Sequence, residues 1–338
     1  MKTYAFELSG EHGTLPRSEI LALVEIYSEG FKEVVSLDQC LLAEVRGLDA
    51  SALGHRLAMT HRILEVMAVS DASLAAVEKA AMELEIADSS PSPKYRIRAR
   101  RIKQSPLPAD RVERAVGKAL FSRGYKADLK NPDINLRAII TGDKVILGRE
   151  AARIDRGDFE ARRPHLKPFF HPGALMPRMA RTLVNLSQAR EGQMLLDPFS
   201  GTAGILVEAC LMDIRGLGVD FEASMVKGAK ENLEGLDCCL IRGDAKHLPI
   251  KDESIDCSVL DIPYGRSAAI RAVSKDALLE ESLPEIRRVI KPGRRMVIVA
   301  DRPLEGEVSK AGFDLLERHQ ERVHRSLTRY ILVCRKAA

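Results

Sequence analysis

The N-terminal stretch alternates. Residues 3–8 place Tyr4, Phe6 and Leu8 at every second position, the period of a strand with one buried face. From Pro16 to Ser28 the period becomes helical, with Ile20, Leu21, Val24 and Ile26 apolar and Pro16 near the start. Phe31 to Ser36 and Cys40 to Val45 read as two strands around the tight turn Leu37-Asp38-Gln39. A short helix, Ala50 to Ala58, and a strand, Ile63 to Val69, complete a β-α-β-β-α-β order. That order predicts a ferredoxin-like α+β domain over residues 1–70. A helix rich in Ala and Glu follows from Asp71 to Leu84, and Ser89-Ser90-Pro91-Ser92-Pro93 punctuates the chain as a linker.

Lys94 to Lys103 carries six basic residues in ten and no acid. As a strand it puts Tyr95, Ile97 and Ala99 on one face and Arg96, Arg98 and Arg100 on the other, with Arg101 and Lys103 close by. An apolar face to pack and an arginine face to meet phosphate suit a nucleic-acid strand. A helix begins near Asp110, turns Val112, Ala115, Val116, Ala119 and Leu120 inward, and closes at Gly124. Asn135 to Thr141 and Lys144 to Gly148 form a hairpin across Gly142-Asp143. The run DLKNPDINLRAIITGDKVILG, behind a basic strand and helix, resembles the THUMP domain of RNA-modifying enzymes over roughly residues 71–150. Residues 151–170 read as a basic connector in which Arg162 and Arg163 could touch the same substrate as the preceding module, or pack as a surface arm.

From His171-Pro172-Gly173 a helix is predicted to run to about Ser187, and β and α elements then alternate. The strands are Met194 to Phe199, Gly216 to Asp220, Cys239 to Arg242, Ile255 to Leu260 and Arg295 to Ala300. Helices Gly204 to Met212, Ala223 to Leu233, Asp276 to Ile290 and Leu304 to Lys310 lie between and after them. Two closing strands fall near Phe313–Glu321 and Arg329–Cys334. The alternation predicts a largely parallel, doubly wound sheet over residues 171–338. The closing pair matches, by analogy, the terminal hairpin of the Rossmann-like, seven-stranded class I methyltransferase fold.

Charge divides the chain. Residues 1–93 hold 7 Lys+Arg against 15 Asp+Glu, net −8; residues 94–170 hold 20 against 9, net +11; residues 171–338 hold 25 against 24, net +1. The basic middle is the footprint expected for a polyanion partner, and equally of a solvated basic face. The six cysteines form no C-x-x-C pair, so reduced core thiols in a cytoplasmic protein are expected, with no metal site. No apolar run approaches membrane-spanning length, and the first residues lack a signal-peptide core.

Acids recur where strands end: Asp197, Asp220, Asp244 and Asp261. Open α/β sheets bind ligands outside the carboxyl ends of their strands. Asp197-Pro198-Phe199-Ser200-Gly201-Thr202-Ala203-Gly204 turns the first strand into a helix, and its glycines let a ligand approach the backbone. Asp220, followed by Phe221, lies 23 residues beyond Asp197, suited to the two hydroxyls of a ribose, and Asp244-Ala245 could meet an adenine amine. A nicotinamide-dependent dehydrogenase would want G-x-G-x-x-G, whereas the spacing here is Gly201-x-x-Gly204 among acids hostile to phosphate. No G-K-[ST] follows, which excludes an ATP P-loop. S-adenosylmethionine, a cation without phosphate, fits.

Asp261-Ile262-Pro263-Tyr264-Gly265 follows the fourth strand. Asp261 and the Ile262 carbonyl could accept from an exocyclic NH2, Pro263 stiffens the turn, and Tyr264 offers a ring for stacking. A turn with a surface tyrosine is the plainer alternative. The motifs LLDPFSGTAGILVEA, GVDF, GDAKHLP and DIPYGRS, with HPGALMPRMARTLVNLS before them, are similar to the archaeal and eukaryotic enzymes that methylate N2 of guanosine at position ten of tRNA. The resemblance implies that Asp197, Phe199, Ser200, Gly201, Thr202, Gly204, Asp220, Phe221, Asp244 and Ala245 surround the cofactor, with His171 and Pro172 at its methionine end. It implies Asp261, Ile262, Pro263 and Tyr264 at the guanine; the basic strand, the connector and the loop after the pentapeptide supply the expected RNA contacts Arg96, Arg98, Arg100, Arg101, Lys103, Arg162, Arg163 and Arg266. Some relatives also take a small zinc-binding activator subunit. Two departures stand out: Ile262 where the family has D-P-P-Y, and Ala203 where it has glycine. A methyltransferase acting on a base amine at another tRNA or rRNA position, a protein-glutamine methyltransferase and a non-catalytic RNA-binding protein are the rival readings. The glutamine enzymes lack a THUMP-like domain, and a binding module has no use for Asp220 and Asp261 together.

Overall fold

The computed structural model describes residues 1–86, 93–103, 105–263 and 275–337. The chain forms two compact units, Met1–Asp155 and Arg156–Ala338.

In the first unit, β1 (Lys2–Leu8), α1 (Leu15–Tyr27), β2 (Gly30–Leu37), β3 (Cys40–Arg46), α2 (Ala50–Arg56) and β4 (Thr60–Asp71) follow the ferredoxin-like order. Next come α3 (Leu74–Glu83), β5 (Lys94–Arg101), α4 (Ala109–Ser122), the two-residue β6 (Lys126–Ala127), β7 (Ile134–Thr141) and β8 (Lys144–Arg153). All eight strands share one sheet, ordered β2-β3-β1-β4-β8-β7-β5-β6, because β4 pairs with β8. Strand β8 therefore extends to Arg153, into the stretch expected to be a connector. Register shifts in β4 at Ile63/Leu64 and Val66/Ala68 bend the long sheet. The sheet turns back on itself, and Ala5, Leu42, Leu64, Ile102, Ile139 and Ile146 from its two halves meet in one small core.

That fold-back corrects the expected solvent-facing arginines. Tyr95 and Ile97 do pack under α4, with Val112, Val116 and Leu120. The opposite face of β5 is partly covered by β1. Arg100 Nη1 donates to Glu7 Oε1 at 2.8 Å, and Arg137 Nε and Nη2 donate to Glu7 at 2.9 Å. Arg62 stands 3.6 Å away. Arg100, expected on RNA, is held by a fully buried carboxylate. Burial pushes the Glu7 carboxyl up, but the hydrogen bonds and charge of Arg137, Arg100 and Arg62 more than offset it and hold it below its ordinary value. A depressed carboxyl contributes stability above its unfolded pKa that is lost as pH falls through the folded one. Removing the anion leaves guanidiniums without their counter-charge, so Glu7→Gln should cost about 3–5 kcal/mol in chemical denaturation of the full chain.

The second unit opens with α5 (Gly157–Ala161) and a 3₁₀ turn (Pro164–Leu166) inside the expected connector. Helix α6 spans Pro177–Leu186, later than expected. Gly173 at φ +93° and Pro177 in the first helical turn keep residues 171–176 out of the helix. Then β9 (Met194–Asp197), α7 (Gly204–Cys210), β10 (Arg215–Asp220), α8 (Ala223–Asn232), β11 (Cys238–Arg242) and β12 (Cys257–Asp261) alternate. The series ends in α9 (Lys275–Val289), β13 (Arg295–Ala300), α10 (Glu305–Lys310), β14 (Phe313–His324) and β15 (Leu327–Lys336). The sheet order is β11-β10-β9-β12-β13-β15-β14, parallel except where β15 joins β13 and β14. This is the doubly wound sheet with a terminal antiparallel hairpin. Its order reverses between β9 and β12, which makes the crevice above those two strands the ligand position for such sheets. Among the described residues, no helix is long and apolar enough to cross a membrane.

Candidate active site

Asp197 ends β9 and is 1 % exposed, with Oδ1 accepting the Phe199 N–H at 3.2 Å. The loop beyond it is bent by two left-handed residues, Gly201 at φ +47° and Ala203 at φ +62°. Ser200 N–H donates to Val219 at 3.0 Å and Ala203 N–H to Ser200 at 2.6 Å, which fixes the loop against β10. Asp220 at the end of β10 completes the clamp. Its Oδ2 accepts the Gly201 N–H at 2.8 Å and its Oδ1 the Glu222 N–H at 2.9 Å. Each oxygen retains a lone pair for a ligand hydroxyl. Beyond β11, Asp244 Oδ1 accepts the Lys246 N–H at 3.0 Å.

Asp261 ends β12 beside Asp197. Its Oδ1 is buried and has no hydrogen-bond partner among the described residues, and neither has the buried Ser200 Oγ. Burial pushes the Asp261 carboxyl up to about 7, against the lowering charge of Arg329 and with a further raise from Glu321. Those two side chains pair at 3.2 Å on the closing hairpin. Burial also raises the Asp197 carboxyl well above its ordinary value, opposed by the Phe199 N–H and reinforced by Asp261 and Asp220. Asp220 is raised by burial too, against the N–H bonds from Glu222 and Gly201.

These strand ends open on one cavity of about 600 Å³, within the range of small-molecule sites. Every residue expected around the cofactor lines it: His171 and Pro172 on one wall, Asp197 through Thr202 and Gly204 on the floor, then Asp220, Phe221, Asp244 and Ala245. Asp261, Ile262 and Pro263 line it as well. Tyr264 and Arg266 lie outside the described residues. The sequence reading missed Leu175, Ile205 and Lys246, which sit inside the quoted motifs but were not singled out, and Met225 and Leu278, helix residues outside any motif. Among the described lining residues, five carboxylates (Asp197, Asp220, Glu222, Asp244, Asp261) stand against one lysine. Such a cavity accepts a cation and repels a pyrophosphate.

The residues expected on RNA are distributed differently. Arg96 Nη2 donates to Asn135 at 2.6 Å, Arg98 sits 3.5 Å from Glu113, and Lys103 pairs with Asp38 at 2.9 Å. Arg101 Nε donates to the Ser105 carbonyl at 2.7 Å, and Arg163 pairs with Glu160. Arg98 and Lys103 keep half or more of their side chains exposed, so they remain available to phosphate. Arg162 is a correction. Its Nε donates to the buried Glu208 at 2.9 Å, which also holds Arg181. Its guanidinium lies over the Phe159 ring.

Residues 164–331 match the family described as RMKL-like, methyltransferase domain, and residues 71–150 match the THUMP domain. A tRNA (guanine(10)-N2)-dimethyltransferase of Methanothermobacter thermautotrophicus is 34% identical over 335 residues, 96% of this chain and 97% of the relative. The chain belongs to this family of THUMP-domain tRNA (guanine(10)-N2)-methyltransferases. A second relative with the same name, from Methanocaldococcus jannaschii, is 28% identical over 98% of this chain and 99% of its own. The crystal structure of TrmN from Thermus thermophilus has the same fold, with a TM-score of 0.55, 23% identity and 99% of each chain covered.

Both departures from the family pattern acquire a physical account. Ile262 is 4 % exposed, and its side chain belongs to the core beneath the sheet with Leu279 and Leu283. Its N–H donates to the Val299 carbonyl at 3.0 Å, a bond that the proline usual in the family cannot make. Ala203 carries the cost of a left-handed residue with a Cβ, roughly 1–2 kcal/mol. Ala203→Gly should therefore gain up to about 1 kcal/mol in denaturant titration, after the greater entropy of glycine is subtracted. A loss of stability would show that the buried methyl matters more than the strain.

Proposed function

We propose that this protein transfers methyl groups from S-adenosylmethionine to the exocyclic N2 amine of a guanosine in tRNA, at position ten. The observation that carries the reading is the pair of carboxylates at the sheet's reversal point, Asp197 buried and Asp261 with one oxygen buried. Asp261, with an unpartnered oxygen, faces the same acid-lined cavity as Asp197. The residues present fit the cofactor. A cavity of about 600 Å³ with five carboxylates and one lysine suits a ligand with sulfonium and ammonium charges and no phosphate. Asp220 would hold the ribose hydroxyls, Asp244 and Ala245 the adenine, and Asp197 with the His171–Pro172 wall the methionine end. When bound, the cofactor supplies an electrophilic methyl group.

The chain's own residues orient and deprotonate. Asp261 and the Ile262 carbonyl accept from the two amine hydrogens, which aims the nitrogen lone pair. Pro263 limits the turn. Tyr264 is the proposed stacking ring, worth roughly 1–3 kcal/mol if it behaves like other single-base platforms. The guanine amine is barely basic, so its proton leaves as the new N–C bond forms, and the Asp261 carboxylate takes it. Such chemistry on a base requires the nucleotide to leave its stack. The THUMP-containing unit, through Arg98 and Lys103 among others, would hold the tRNA backbone. We place the protein in the cytoplasm with tRNA as its partner and a small zinc-binding subunit as a candidate activator.

The test is incubation with S-adenosylmethionine and unmodified tRNA, followed by nuclease digestion and mass spectrometry. The expected product is N2-methylated guanosine at position ten. A methyl group on another nucleotide, or none on tRNA, overturns the assignment. Full turnover by the chain alone removes the activator from its partners.

A further inference from the structure

Two walls of the cavity are joined by a side chain that is not in it. Asn232 closes α8, the helix whose first turn carries the lining residue Met225. Its Oδ1 accepts the Phe169 N–H at 3.0 Å, and its Nδ2 donates to the Phe169 carbonyl at 2.9 Å. The same Nδ2 donates to the Thr202 carbonyl at 2.9 Å. Phe169 lies two residues before the His171–Leu175 wall, and Thr202 lines the floor immediately before the left-handed Ala203. The Phe169 ring lies flat on α8 at Gly228, where an added Cβ would meet ring carbons at 2.2–2.3 Å. One amide thus uses three hydrogen bonds to fix wall, helix and floor, and a bare patch of helix receives the ring.

The geometry points to Asn232 as a positioning residue for the cofactor, setting the spacing between the His171–Leu175 wall and the Phe199–Gly204 loop. This rests on reading the cavity as the S-adenosylmethionine site. Asn232 does not line the cavity, so its loss should act on cofactor affinity through the two walls and not on the chemistry at Asp261. Leaving two carbonyls and an N–H without partners, Asn232→Ala frees both walls. Gly228→Ala, one turn earlier on α8, presses on the ring of the same Phe169, with the hydrogen-bonding groups chemically intact.

The test uses the full chain, with S-adenosylhomocysteine binding by calorimetry beside steady-state kinetics. For Asn232→Ala, Kd and the cofactor KM should rise about tenfold or more, while kcat at saturating cofactor stays within about threefold. Gly228→Ala should give the same pattern, and adding Phe169→Ala to it should restore affinity by making room for the new methyl. A lowered Tm with Kd unchanged overturns the inference, since a merely structural amide would behave that way. So does a fall in kcat without a change in Kd. If the wild-type chain binds no S-adenosylhomocysteine, the cofactor reading fails and the tie with it.

Discussion

Asp261→Ala should lower methyl transfer by about 10²-fold or more while S-adenosylmethionine still binds. The carboxylate's proposed work is done on the amine, so the loss belongs in kcat and not in the cofactor KM. Asp261 is proposed at the amine and four other carboxylates among the described residues still line the cavity, so cofactor affinity should weaken only a few-fold, about threefold at most. Asp261→Asn keeps one acceptor for orientation but cannot take the proton, and should fall between the two. The pH dependence has a definite sign. With the carboxyl pushed up to about 7, the ionised form needed for catalysis fills in as pH rises, so kcat/KM should climb about tenfold per unit below 7 and level off above. Asp261→Asn should flatten that limb. Because the folded pKa lies above the unfolded one, the same group favours the folded state at low pH and loses that contribution as pH rises through 7. Asp261→Asn should accordingly raise Tm at pH 8. A near wild-type rate for the alanine variant would sink the catalytic assignment.

Asp220→Ala should act on the other parameter. The carboxylate holds the Gly201 and Glu222 N–H groups, and its remaining lone pairs are the proposed ribose acceptors. Hydrogen bonds to a charged group contribute roughly 1.5–3 kcal/mol each. Losing the ribose contacts and loosening the loop together should weaken cofactor binding by about 10²-fold, roughly 3 kcal/mol. Saturating cofactor should recover most of kcat, because Asp261 is untouched. Calorimetry that finds the alanine variant within threefold of wild type would remove Asp220 from the cofactor site.

The strand-end acids were legible because topology does the work. Every parallel strand in a doubly wound sheet delivers its last residue to the same edge, so Asp197, Asp220 and Asp261 converge however far apart they lie in the chain. The arginines were not legible in the same way. Alternation in β5 separates its two faces, but cannot say which is covered. Glu7, the partner of Arg100, is 93 residues away and meets it only because the sheet turns back on itself. The start of α6 departs from the expected His171 for a local reason: Gly173 and Pro177 together mark a segment that stays out of the helix. Asn232 gave no signal, since an asparagine at a helix end is read first as a cap.

Ile262 has one more consequence. Where proline occupies this position, the residue has no exchangeable amide to observe. Here the N–H bonded to Val299 sits one residue from the proposed proton acceptor and in the turn that would meet the base. A nitrogen-15 resonance or a deuterium-uptake rate at that single amide would report how firmly the turn is seated. The same measurement with and without RNA could follow base capture directly, with no label attached to the site.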